Sequence, residues 1–145
     1  MGFLIDASVA LSWLFADEFT PAAQALLKQA GDNAVFGPSH FWLEISNGAL
    51  MGERRGRVEP TQTILWLGQI AALGISIDRG NPSLGLDGLL PIARLQGLTV
   101  YDAAYLELAT RLRLPLATFD KRLASAARGI GVEVLGTGVI KKGVQ

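Results

Sequence analysis

Four carboxylates stand where an α/β chain could do chemistry. Asp6 closes the apolar run FLI near the amino terminus, and Asp120 closes LATF in the same way. Glu44 lies in PSHFWLEISNGAL, on a narrow stripe with His40, Asn47 and Met51. At helical spacing, Phe41, Trp42, Ile45 and Ala49 flank that stripe on one side and Leu43 and Leu50 on the other, so the helix reads as enclosed. Asp102 opens YDAAYLELATRL at the margin of a face carrying Tyr101, Tyr105, Leu108, Ala109 and Leu112. Glu107 and Arg111, four apart on the opposite side, read as a solvated ion pair. Taken singly, Asp6 and Asp120 cap the helices that follow, Asp102 answers a helix dipole, and Glu44 makes a buried hydrogen bond. Taken together, four carboxylates within a few ångströms would repel, and burying them unpaired is costly. A divalent cation with oxygen-ligand preference, Mg²⁺ or Mn²⁺, would relieve both penalties. On that joint reading Asp6 is a metal ligand in preference to a cap.

Such a site needs elements to position it. GFLI reads as a buried strand, followed by a helix from Ser8 to about Phe15 and a second from Pro21 to about Ala30, with Thr20 before it and Gly31 after it as caps. NAVFG is a strand, residues 39 to about 56 a long helix, Pro60 to about Gly74 another, and ISID a weak strand. Residues 83–97 form a looser helix that suits Pro91 near its start. Tyr101–Leu112 is a helix, LATF a strand, Lys121 to about Arg128 a helix and VEVL a last strand. The tail over residues 137–145 reads as loose. Strands alternate with helices and are continuous apolar runs, which predicts an α/β three-layer domain with a central, mostly parallel sheet flanked by helices. In such sheets ligands bind beyond the carboxyl ends of the strands, where Asp6 and Asp120 fall.

Composition narrows the classes. The chain has 145 residues, half of them hydrophobic, enough for one domain with a substantial core. Thirteen Lys and Arg balance thirteen Asp and Glu, so there is no global basic field and any nucleic-acid contact must be local. The absence of cysteine excludes disulfides and thiolate metal sites and is compatible with a cytoplasmic location. No uninterrupted apolar stretch reaches membrane-spanning length, and the first residues lack the basic region of a signal peptide.

The motifs resemble those of the PIN-domain ribonucleases, in particular the VapC-type toxins of toxin–antitoxin pairs. LIDAS supplies Asp6 and Ser8, PSHFWLEISNGAL supplies Glu44 and Asn47, TVYDAAYLELA supplies Asp102, and TFD supplies Thr118 and Asp120. Each motif is short; their order and contexts across nearly the whole chain are what is specific. The resemblance implies a three-layer PIN-like fold and a metal-dependent endoribonuclease. Asp6, Asp102 and Asp120 would hold Mg²⁺ or Mn²⁺ and Glu44 would complete the site, with Ser8, Asn47 and Thr118 orienting the acids. It also implies an RNA substrate, a homodimer and a cognate antitoxin protein. The alternatives are a PIN scaffold that binds without cutting, and a receiver-like Mg²⁺-binding signalling domain; the latter wants adjacent acids after its first strand, where Asp6 stands alone.

Lesser signals have plainer readings. His40, the sole histidine, is expected to cap or pack, and lies outside the family pattern. Residues 53–57 (ERRGR), with Arg111, Arg113, Lys121 and Arg122, either meet phosphate or form an ordinary solvated surface. Trp13, Trp42 and Trp66 read as core. The first two helices, joined by ADEFTP, either leave an apolar surface for a partner's amphipathic helix or pack into their own domain.

Overall fold

The structure, a computed structural model, describes residues 1–136; the expected loose tail at 137–145 lies outside the described residues. In chain order the elements are β1 (Gly2–Ile5), α1 (Ala7–Ser12), α2 (Pro21–Asp32), β2 (Ala34–Gly37), α3 (Phe41–Arg54) and α4 (Pro60–Ala72). There follow β3 (Ser76–Ile77), α5 (Leu90–Gln96), α6 (Val100–Leu112), β4 (Leu116–Ala117), α7 (Lys121–Gly129) and β5 (Val134–Leu135). The five strands form one parallel sheet in the order β3-β2-β1-β4-β5.

β1 is central and buried along its whole length, which is why its sequence is an unbroken apolar run. Its side chains alternate between two cores. Phe3 and Ile5 join Val9, Leu26, Phe41, Ile45, Trp66 and Ile70 on one side. Leu4 joins Tyr105, Leu106, Leu108, Leu116 and Leu123 on the other. Fully burying a side chain such as Leu4 contributes about 1.5–3 kcal/mol. The chain winds outward from β1 through β2 to β3, then returns to place β4 on the opposite side of β1. The switch in winding therefore lies between the carboxyl ends of β1 and β4, the place where parallel sheets open a crevice.

Several expected boundaries shift. α1 stops at Ser12, and a 3₁₀ turn at Ala16–Glu18 leads into α2. α2 passes through Gly31 to Asp32, with Asn33 as its C-cap. Between residues 83 and 97 only Leu90–Gln96 is α-helical, with Pro91 in its first turn and a 3₁₀ turn at Pro82–Leu84 ahead of it.

α3 is not enclosed on both flanks: Leu43 is 75% and Leu50 40% exposed. Its inner face lies unusually close to α1. A Cβ on Gly48 would stand 2.4 Å from Leu11 Cδ1, and one on Gly52 2.4 Å from Phe15 Cε1, so glycine is what permits the approach. The faces of α1 and α2 pack into their own domain through Val9, Ala10, Leu26 and Ala30. Large exposed apolar side chains sit instead on other elements, among them Leu43 and Leu50 on α3, Ile64 and Leu65 on α4 and Leu95 on α5. Among the described residues no helix is long and apolar enough to cross a membrane.

Candidate active site

Asp6 leaves β1 and becomes the N-cap of α1, its Oδ1 accepting from the Val9 amide at 3.1 Å. It is also buried, at 5% exposure, and two hydroxyls hold it: Ser8 donates to Oδ1 and Thr118 to Oδ2. The same hydroxyls reach the far strand. Ser8 Oγ accepts from the Phe119 amide at 2.9 Å, and Thr118 Oγ1 accepts from the Asp120 amide at 3.0 Å. The ends of β1 and β4 are thus tied through one carboxylate and two hydroxyls. Burial outweighs these bonds and, with Asp120 nearby, raises the Asp6 carboxyl from 3.8 to about 6.

Asp120 caps α7, its Oδ1 accepting from the Arg122 and Leu123 amides at 2.9 and 3.1 Å, while its other oxygen makes no hydrogen bond among the described residues. Asp102, half-buried in the first turn of α6, follows the N-cap Thr99, whose hydroxyl accepts from the Asp102 amide. Its carboxyl is held above the usual range by burial first, then by the charges of Asp120 and Glu44. Glu44 projects from α3; Tyr105 Oη donates to its Oε1 at 2.6 Å. Burial and the Glu44 carboxylate push the Tyr105 phenol up, so it stays a donor.

The structure therefore links Asp6 to Asp120, Asp120 to Asp102 and Asp102 to Glu44 electrostatically, from the ends of two strands, the start of one helix and the face of another. Among the described residues no lysine or arginine pairs with any of them. The all-oxygen donor set suits a hard divalent cation in kind. The acids are not gathered into a closed cage: among the described residues no three Asp, Glu, His or Cys side chains stand close enough to hold a metal ion as placed.

The capping reading of Asp6 and Asp120 holds, alongside their mutual influence. Ser8 and Thr118 sit on Asp6 itself. Asn47 does not join: it is exposed and makes no side-chain hydrogen bond among the described residues, since α3 turns that part of the stripe to solvent. His40 occupies the N-cap position of α3 without capping it. Its Nε2 donates to the Tyr101 carbonyl at 3.1 Å and lies 3.4 Å from Glu44 Oε1, and its ring packs against Tyr101 and Tyr105.

Two features escaped the sequence pattern. One is the Tyr105–Glu44 bond, signalled only by the need of a buried phenol for a partner. The other is Arg111, which is no solvated pair: it bonds Glu107 and also, through two nitrogens, Asp78 at the end of β3. Asn81 donates to the same Glu107. Arg57 is likewise engaged, with Asp17 and Glu18, so neither arginine is open to phosphate.

A PIN-domain family model matches residues 3–129. Comparison with curated proteins yields no match. Among solved structures, the chain is similar to the crystal structure of PAE2754 from Pyrobaculum aerophilum, with 25% identity, a TM-score of 0.67 and both chains covered in full. It is also similar to SSO1118, a PilT N-terminus domain protein from Sulfolobus solfataricus P2, with 15% identity and a TM-score of 0.49 over 93% of this chain and 86% of that one.

Proposed function

The chain belongs to the PIN-domain family, generally a nuclease fold, and from that premise we propose that it is a metal-dependent endoribonuclease of the VapC toxin type, acting in the cytoplasm. The observation that carries this reading is the set of four carboxylates at the switch point of the sheet, with two carboxyls held above their usual range and, among the described residues, no lysine or arginine to neutralise them.

Asp6, Asp102 and Asp120 would hold Mg²⁺ or Mn²⁺, with Glu44 completing the site directly or through water. When bound, the cation would supply a water of lowered pKa and offset charge on the leaving oxygen of an RNA phosphodiester, giving 5′-phosphate and 3′-hydroxyl ends. The protein's share is positioning. Ser8, Thr118 and the Val9 amide fix the orientation of Asp6. Thr118 couples Asp6 to the start of α7, where Asp120 stands. Tyr105 holds Glu44 in place. Lys121 and Arg122 follow Asp120 directly and are exposed, available to backbone phosphate.

The toxin reading adds a homodimer and a cognate antitoxin. The exposed apolar side chains of α3 and α4 are the surfaces that support association. Two experiments test the proposal. Purified protein should cleave a structured RNA with Mg²⁺ or Mn²⁺ and stop in chelator, and Asp102→Asn should lower the rate at least about a hundredfold. Full activity in chelator, or undiminished activity of Asp102→Asn, refutes the mechanism. Co-expression with the upstream reading frame should yield a complex that lacks the activity; a monomer indifferent to that product refutes the toxin assignment.

A further inference from the structure

Resting on the ribonuclease reading above, we propose that Tyr101 is a stacking platform for one unpaired nucleobase of the RNA, set at the rim of the four-acid site. Tyr101 occupies the first turn of α6, immediately before Asp102, and the residue is 62% exposed, whereas Tyr105 one turn on is buried. A lone exposed tyrosine is ordinary; this one is held in place. The His40 ring lies 5.5 Å from its centroid at a tilt of 57°, and the His40 Nε2–H donates to the carbonyl of Tyr101 itself. The same Nε2 lies 3.4 Å from Glu44 Oε1, so the phenol ring stands one side chain away from an acid of the site.

The surroundings suit a nucleic-acid strand. A cavity of about 650 Å³ opens between the loop after β3 and the start of α6, lined by Arg79, Leu86, Leu89, Leu90 and Val100. Its size lies within the range of small-ligand sites. Arg79 is exposed and makes no ion pair among the described residues. Beyond the acids, Lys121 and Arg122 begin α7, with Arg122 anchored to the Gly97 carbonyl at 2.7 Å just ahead of α6. Arg79 thus shares a cavity with Val100 and Arg122 is tied to Gly97, so cationic side chains lie near the start of α6 that carries the ring. A ring face binds a base only when that base is unstacked from its neighbours, so the chemistry points to a single-stranded segment.

The test measures binding of short fluorescent single-stranded RNAs in Mg²⁺, by anisotropy, in an Asp120→Asn background that keeps a competent helix cap and is expected to bind without cutting. Tyr101→Leu should weaken the Kd about tenfold, while Tyr101→Phe and Tyr101→Trp should stay within about threefold. One abasic position in the RNA should reproduce the loss with Tyr101 present and add nothing in Tyr101→Leu. Undiminished binding by a folded Tyr101→Leu overturns the platform, as does an equal loss in Tyr101→Phe, or an abasic penalty that persists in Tyr101→Leu. Failure to bind any RNA with Tyr101 present overturns the ribonuclease reading as well, whereas binding that ignores residue 101 overturns the platform alone.

Discussion

Removing the charge of Asp6 should stabilise the protein at neutral pH and destabilise it in acid. In the folded state this carboxyl titrates near 6, against 3.8 when solvated. A folded value raised above the unfolded one means that the native state binds the proton more tightly. Stability from this group is complete below about pH 4 and is lost as pH rises through about 6. The full loss is about 3 kcal/mol, undiscounted for solvent because Asp6 is buried. In Asp6→Asn the cap survives, since asparagine serves that position as well as aspartate. The amide nitrogen, however, faces the Thr118 hydroxyl that now donates to Oδ2, and turning that hydroxyl costs about 1 kcal/mol. The variant should therefore be slightly less stable near pH 4 and about 2 kcal/mol more stable near pH 7, with a crossover at about pH 4.5. The other acids of the site are present in both proteins and largely cancel in the difference. Urea denaturation in chelator across this range measures it. A difference flat to within about 0.5 kcal/mol from about pH 4 to 7 would show that Asp6 ionises without penalty, and would refute the reasoning.

Two further outcomes follow from packing and hydrogen bonding. Thr118→Val, nearly isosteric, should cost about 1–3 kcal/mol by unpairing Asp6 Oδ2 and the Asp120 amide, and should move the Asp6 titration above about 6; denaturation at several pH values reads both. Gly52→Ala should cost about 1–3 kcal/mol as its Cβ meets the buried Phe15 ring, whereas Gly68→Ala in α4, with nothing within 4 Å, should gain about 0.5–1 kcal/mol; thermal melts of the pair separate overpacking from helix propensity.

Much of the fold is legible in the sequence because burial on both faces of a parallel strand writes itself as an unbroken apolar run, as in GFLI. Pro21, Pro60 and Thr20 mark helix starts because the first turn tolerates a missing N–H and welcomes a hydroxyl. Gly31 misleads as a stop: propensity is a weak prior, and α2 runs past it to Asp32. Leu43 and Leu50 mislead for another reason, since apolar side chains are not confined to the interior and their spacing alone cannot say which flank of α3 is covered. At the site, Asp6, Glu44, Asp102 and Asp120 are visible because each is a carboxylate at an element end or on an apolar helix. Arg111 is not, because helical spacing reveals Glu107 but not Asp78, which only the sheet brings alongside. Asn47 shares a stripe with Glu44 and still faces water, because a turn of α3 is enough to leave the crevice.

Capping and metal binding are not competing explanations of Asp6. The cap uses Oδ1 and is worth about 1 kcal/mol. A serine or threonine there would cap comparably and carry no charge into the interior. The ionised carboxylate costs about 3 kcal/mol at neutral pH through its burial and its neighbour Asp120, so capping leaves about 2 kcal/mol unexplained. Hydroxyls from Ser8 and Thr118 lessen the penalty without removing it, and they do so by fixing the direction of the carboxylate. A residual cost of that kind, at the switch point of a parallel sheet and shared with a second carboxyl raised by the same neighbours, is what a site optimised for something other than stability looks like. A cation that lowers the cost on binding would turn the same repulsion into affinity. The wild-type protein should therefore gain stability from Mg²⁺ above about pH 6, and Asp6→Asn should gain less.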